Sequence, residues 1–119
     1  MKKTVVIGAS TNKDRYAYKA TVSLQKYGHE VIPVGIEPGE INGIKISTDK
    51  KNLTDIDTVT MYVHPKNQPY WYDYILSLKP KRVIFNPGAE NREFENKLKQ
   101  NNIQVIDACT LVMLSTGQY

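Results

Sequence analysis

Short runs of β-branched and aliphatic residues, each closed by glycine, proline or a polar turn, alternate along this chain with stretches whose apolar residues recur every three or four positions. The runs are Thr4–Ile7, Glu30–Val34, Thr58–Val63 and Arg82–Phe85, with a shorter fifth at Gln104–Ile106. Their nearly continuous apolar character suits a parallel sheet covered on both faces better than a half-exposed sheet of hairpins. Between them, Ala17, Ala20, Leu24 and Tyr27 form a helical stripe that Gly28 ends. Asn67 and Pro69 open a second helix carrying Trp71, Ile75 and Leu78, with Pro80 just beyond. A third is expected from Glu90 to Gln100, its early glutamates and late lysines complementing the helix dipole. Thr110–Leu114 makes a short last one. Only the segment between the second and third strands lacks a helical pattern; Gly35, Pro38, Gly39 and Gly43 punctuate it, and a short helical turn is expected around Lys51–Asp55.

The alternation predicts an α/β fold, a three-layer Rossmann-like sandwich around a five-stranded parallel sheet. The leading strand order is 3-2-1-4-5. The 119 residues form one domain, 1–119, of ordinary globular composition, 40% hydrophobic and 24% charged. No apolar stretch approaches the roughly 20 residues of a membrane span, so a cytoplasmic location without membrane contact is expected. The single cysteine excludes an internal disulfide framework and a multi-cysteine metal site. The 16 Lys and Arg give a net charge of +4 but are scattered, which argues against nucleic acid and is compatible with a small polyanionic ligand.

In an open parallel sheet the ligand lies beyond the carboxyl ends of the strands, where the strand order reverses. For order 3-2-1-4-5 the turns leaving that point are Gly8-Ala9-Ser10 and Asn86-Pro87-Gly88-Ala89. The first offers backbone N–H groups, the Ser10 hydroxyl and a helix N-terminus to an anion, with Lys13, Arg15 and Lys19 near its mouth. The second opens a helix directly from a strand, and Gly88 is expected to wall the ligand and donate an N–H, so that Gly88→Val should block the cleft. At the end of the second strand an NAD site carries an acid for the ribose hydroxyls. Here Val34, Gly35 and Ile36 stand there, Glu37 comes late, and the second and third glycines of the dinucleotide motif are missing. The third strand ends in Tyr62, Val63, His64 and Pro65, where a ring can line an adenine pocket. His64 has no sequence partner for catalysis, and His29 reads as surface.

These segments, "VVIGAS", "YGHEVIPVG", "ING", "VTMYVHP", "VIFNPGAEN" and "IDACTLVML", in this order resemble the CoA-binding domain family, which is similar to the N-terminal domain of the succinyl-CoA synthetase alpha subunit. The resemblance spans nearly the whole chain and implies coenzyme A or an acyl-CoA as cofactor. It places the phosphates at Gly8, Ala9 and Ser10, and the adenine at Val34, Gly35 and Ile36 with Tyr62, Val63 and Pro65 nearby. Asn86, Pro87, Gly88 and Ala89 complete the site, with a looser set of Arg15, Tyr16 and Lys19. The synthetase subunit's second domain, which carries its phosphorylated histidine, has no counterpart in these residues, so ligase activity is not expected of them.

Cys109, just after the fifth strand, is a thiol that a helix N-terminus would activate toward the cofactor's own thiol, although its apolar surroundings favour a packing role. No metal-ligand spacing and no catalytic set emerges. The expected function is therefore a CoA-binding, sensing or presenting module, alone or with a protein partner or a second copy. An NAD(P)-dependent oxidoreductase is the alternative from the enzyme class. An interaction subunit with a vestigial cleft is a third reading, supported if "QPYWYDYIL" exposes an aromatic face.

Overall fold

A computed structural model describes residues 1–119. In it the apolar runs form five parallel strands, β1 (Thr4–Ile7), β2 (Val31–Val34), β5 (Thr58–Met61), β6 (Arg82–Phe85) and β7 (Gln104–Asp107). The residues of β1, β5 and β6 are all buried, as strands covered on both faces require. Helices α1 (Tyr16–Lys26), α2 (Pro69–Leu78), α3 (Arg92–Gln100) and α4 (Thr110–Ser115) supply the outer layers.

Alternation along each strand sends side chains to two separate cores. Val5, Ile7, Val59, Met61, Val83 and Phe85 pack with Trp71 and Ile75 of α2 and with Phe94 and Leu98 of α3. On the opposite face Val6 and Val31 pack with Ala17 and Leu24 of α1 and Leu114 of α4. The three-layer α/β sandwich is thus the observed architecture.

The strands run in the order β2-β1-β5-β6-β7, which is 2-1-3-4-5 when the parallel strands alone are counted. In the expected order 3-2-1-4-5, Thr58–Met61 lies outside β2; it actually sits between β1 and β6, with Thr4 opposite Thr58 and Thr58 opposite Arg82. The reason is the path of the crossover. After β2 the chain makes a small antiparallel hairpin, β3 (Glu40–Ile41) and β4 (Ile44–Lys45), then adds a single bridge from Ser47 to Val34 at the outer side of β2. That edge is occupied, so the chain crosses β2 and β1 and enters beside β1. Leu53 and Ile56 of this crossover fill the core where a helix would otherwise lie.

The hairpin replaces the expected irregular loop, and no helical turn forms at Lys51–Asp55. Asn42 and Gly43 at its tip both have positive φ, 47° and 88°, as a two-residue hairpin turn needs. Two helix starts also differ. Pro65–Asn67 forms a 3₁₀ turn, so α2 is entered through Gln68 rather than Asn67. The third helix starts at Arg92, capped by the Asn91 side chain, which accepts the Phe94 N–H at 3.1 Å.

At the amino ends of the strands, Tyr119 closes the sheet. Its hydroxyl is 2.6 Å from Thr4 Oγ1, and its carbonyl oxygen accepts from Lys2 Nζ at 2.6 Å and from the Arg82 guanidinium at 3.1 Å.

Candidate functional site

With β5 beside β1, the strand order reverses between these two strands, and the crevice there opens between α1 on one face and α2 on the other. It forms a cleft of about 870 Å³, within the size range of small-molecule sites.

Its floor begins at Gly8. This residue has φ +99°, and a Cβ on it would stand 3.1 Å from Val63 Cγ2 and 3.2 Å from the Tyr62 carbonyl carbon. Glycine therefore lets the end of β1 bend against the end of β5. The amides of Gly8 and Ala9 both donate to the Val34 carbonyl, at 2.9 and 3.0 Å, so they are not the anion donors expected of them. The N–H groups of Ser10 and Thr11, which also line the cleft, have no partner within the chain. The Ser10 hydroxyl oxygen accepts the Asn12 N–H at 3.1 Å, shaping the turn and leaving its own proton free to donate.

Helix α1 starts at the cleft. Its N-cap is Arg15, which makes no side-chain cap, and its first turn holds no acid. No acid within the helix's first turn therefore compensates the positive end of its dipole beside Arg15 and Tyr16. By contrast α3, which does not line the cleft, is capped by Asn91 and carries Glu93 and Glu95 in its first turn.

The loop after β2 contributes Gly35, Ile36, Glu37 and Pro38. Ile36 is 77% exposed, an apolar side chain standing where an NAD site would have an acid. Gly35 is pressed against the first turn, since a Cβ there would fall 2.5 Å from the Ala9 carbonyl oxygen.

The opposite wall comes from the end of β5 and the entry to α2. Tyr62 and Val63 line it, as the sequence suggests, and Lys66, Asn67, Pro69, Tyr70 and Trp71 join them. Burial pushes the Tyr62 phenol well above its ordinary pKa, so it stays neutral. The wall is braced from behind by Gln68, which is fully buried. Its Nε2 donates to the Val63 carbonyl at 2.9 Å and to the Ala89 carbonyl at 2.7 Å, and its Oε1 accepts from Asn91 at 2.9 Å. His64 Nδ1 accepts the Lys66 N–H at 3.1 Å, which makes the histidine a cap of the 3₁₀ turn.

Of the turn after β6, only Pro87 lines the cleft. Asn86 is 2% exposed, and its side chain is spent inside the protein. It donates to Thr60 Oγ1 at 2.7 Å and to the Met61 carbonyl at 2.9 Å, and it accepts the Thr110 N–H at 2.8 Å. Ala89 is buried. The Gly88 N–H is taken by the Glu90 carboxylate at 2.8 Å, and a Cβ on Gly88 would meet nothing within 4 Å. Val34 is buried, and Pro65 and Lys19 also lie outside the lining; Lys19 Nζ sits 5.1 Å over the Tyr16 ring. The cleft thus gathers Gly8, Ala9, Ser10, Arg15, Tyr16, Gly35, Ile36, Tyr62, Val63 and Pro87 from the expected set and leaves out the rest.

Cys109 is half-buried at the start of α4, outside the cleft. The aromatic helix is mainly core, with Trp71 and Tyr74 3% and 7% exposed, while Tyr70 is the exposed exception. No group of three or more His, Cys, Asp and Glu side chains is placed to hold a metal ion, and no helix is long and apolar enough to cross a membrane.

The family described as "CoA binding domain" matches residues 2–115. The chain belongs to this CoA-binding domain family. Among solved structures, an uncharacterized protein superimposes with a TM-score of 0.98 at 52% identity, covering 100% of this chain and 98% of that one. A hypothetical protein from Pyrococcus horikoshii OT3 does so with a TM-score of 0.87 at 25% identity, over 97% of this chain and 82% of that one. The uncharacterized protein YneT of Bacillus subtilis (strain 168) is 27% identical over 113 residues, 93% of this chain and 84% of the relative. The stand-alone domain is therefore the common form among these relatives, and the cleft between β1 and β5 is the site against which the family's cofactor has to be tested.

Proposed function

We propose that this chain binds coenzyme A or an acyl-CoA in the cleft at the carboxyl ends of β1, β2 and β5, and acts in the cytoplasm as a module that senses the cofactor or presents it to a protein partner. The carrying observation is the uncapped start of α1, with Arg15 beside it and the free N–H groups of Ser10 and Thr11, all on one cleft. Unpaired donors at the positive end of a helix suit a diphosphate. The residues fit the cofactor in two further respects. The apolar Ile36 at the end of β2 offers contact to a base rather than hydrogen bonds to ribose hydroxyls. The rings of Tyr16, Tyr62 and Tyr70 provide apolar and stacking surface for a long, partly apolar ligand.

Calorimetric titration with CoA, acetyl-CoA, NAD and NADP in parallel tests this reading. Saturable binding of CoA or acetyl-CoA and not of the dinucleotides is expected. Binding of NAD or NADP alone would replace it with the oxidoreductase reading, to which Glu37 at the cleft's edge would then supply the ribose contact. Binding of none would leave an interaction subunit.

A further inference from the structure

Resting on the CoA reading, we infer that Lys66 is a specificity-determining residue, which recognises a second anionic group on the ligand, separate from the diphosphate. The cleft is lined by two cations, Arg15 and Lys66, and by one carboxylate, Glu37. Arg15 stands at the start of α1, while Lys66 stands across the cleft on the 3₁₀ turn after β5. Neither is in an ion pair; the protein's three pairs join Lys3 to Glu30, Lys81 to Asp57 and Arg82 to Asp57.

The neighbouring lysines differ. Lys50 Nζ lies 3.6 Å over the Tyr70 ring and donates to the Tyr70 carbonyl at 2.6 Å, and Lys19 rests over Tyr16. Their ammonium groups are engaged by the protein; that of Lys66 is not.

The backbone under Lys66 is nonetheless fixed. Its N–H is held by His64, the Asn67 N–H donates to the His64 carbonyl at 2.8 Å, and Gln68, two residues on, is locked into three hydrogen bonds. A free charge on a rigid root is suited to selecting a ligand group, because little order has to be gained when the group arrives.

A diphosphate at α1 would be served by Arg15 and the Ser10 amide, so Lys66 is left for another anion. CoA and its esters offer two sources of one chemistry: the ribose 3′-phosphate, and a free carboxylate on a dicarboxylic acyl group. Two ligand pairs separate them: CoA against dephospho-CoA, and succinyl-CoA against acetyl-CoA. Binding of all four is measured by calorimetry to the wild type, Lys66→Gln and Arg15→Gln. Lys66 is exposed and its side chain makes no hydrogen bond or ion pair in the fold, and thermal melting of each variant is the check that it is folded.

The wild type is expected to prefer the more anionic member of one pair about tenfold or more, the scale of one charge-assisted hydrogen bond. Lys66→Gln should abolish that preference and leave the less anionic member's affinity unchanged, and Arg15→Gln should weaken all four alike. The pair that responds identifies the anion. Equal weakening of all four ligands by Lys66→Gln, or no change in any, would overturn the inference while leaving the CoA reading intact. Failure of the wild type to bind any of the four would overturn both.

Discussion

Gly35 and Ala9 approach so closely that a single added carbon on Gly35 would stand 2.5 Å from the Ala9 carbonyl oxygen. The loops leaving β2 and β1 are packed backbone to backbone at the cleft floor, and the contact sets their separation. Gly35→Ala has to push them apart, at about 1–3 kcal/mol of stability, the usual cost of overpacking a tight contact. Urea unfolding is expected to show that loss together with weaker CoA binding. An unchanged midpoint and unchanged affinity would mean that the floor yields freely.

Gln68 ties the end of β5, the turn after β6 and the cap of α3 into one unit. Gln68→Leu keeps the volume but strands the Val63 and Ala89 carbonyls without donors. Buried acceptors left unpaired cost about 1–3 kcal/mol each, so a loss of about 2–4 kcal/mol in urea unfolding is expected. A loss below about 1 kcal/mol would show that water replaces the amide.

Gly88→Val separates a turn glycine from a ligand glycine. Its φ of +92° strains any L-residue, but a Cβ there meets nothing within 4 Å and Gly88 is not part of the cleft lining. Stability should fall by about 1–2 kcal/mol, with CoA affinity unchanged. A blocked site in a folded variant would move the ligand across to the turn after β6.

His29 gives the fold a pH dependence of predictable sign. The Lys2 N–H donates to its Nδ1 at 2.9 Å, which requires the neutral ring. Burial first, then the Met1 amine, Lys2 and Arg82, lower its pKa from 6.5, against a smaller upward pull from Asp57. With the folded value below the unfolded one, the unfolded chain takes up the proton first as pH falls. This contribution is therefore whole above the unfolded pKa of 6.5, declines as pH falls through it, and levels off once the folded ring protonates. The difference in unfolding free energy between wild type and His29→Gln, followed from pH 7.5 to pH 5 by urea titration, isolates the group. It should shrink toward acid; a flat difference would refute the assignment.

The strands were legible because β-branched runs bounded by turns are local signals, as at Thr4–Ile7 and Arg82–Phe85. Their order was not, because nothing in "TDIDTVTM" records that β5 pairs with β1; that follows from an outer edge of β2 already occupied by Ser47. The misplaced strand carried the site with it. Gly8–Ser10, Gly35, Ile36, Tyr62 and Val63 could be read from strand ends alone. Lys66, Asn67 and Tyr70 reach the cleft only because β5 stands next to β1. Asn86 shows the converse limit, since a polar residue at a strand end looks the same in sequence whether it faces a ligand or caps α4 from within. The hairpin at Asn42-Gly43 did carry its signal, an Asn-Gly pair between apolar residues.

The crossover that stands in for a helix has two lengths with unequal tolerance for extra chain. Up to Lys51 it spans from the sheet edge to α2, where Lys50 grips the Tyr70 carbonyl and the Tyr74 hydroxyl donates to the Lys51 carbonyl at 2.9 Å. A residue inserted there changes the reach of that grip and displaces the cleft's far wall. At exposed Asn52 the chain lies past both anchors, and a doubling of loop length costs only about 0.6 kcal/mol of closure entropy. Asn52 is therefore the place where a peptide, a tag or a second domain can be spliced into this protein without the cleft registering it.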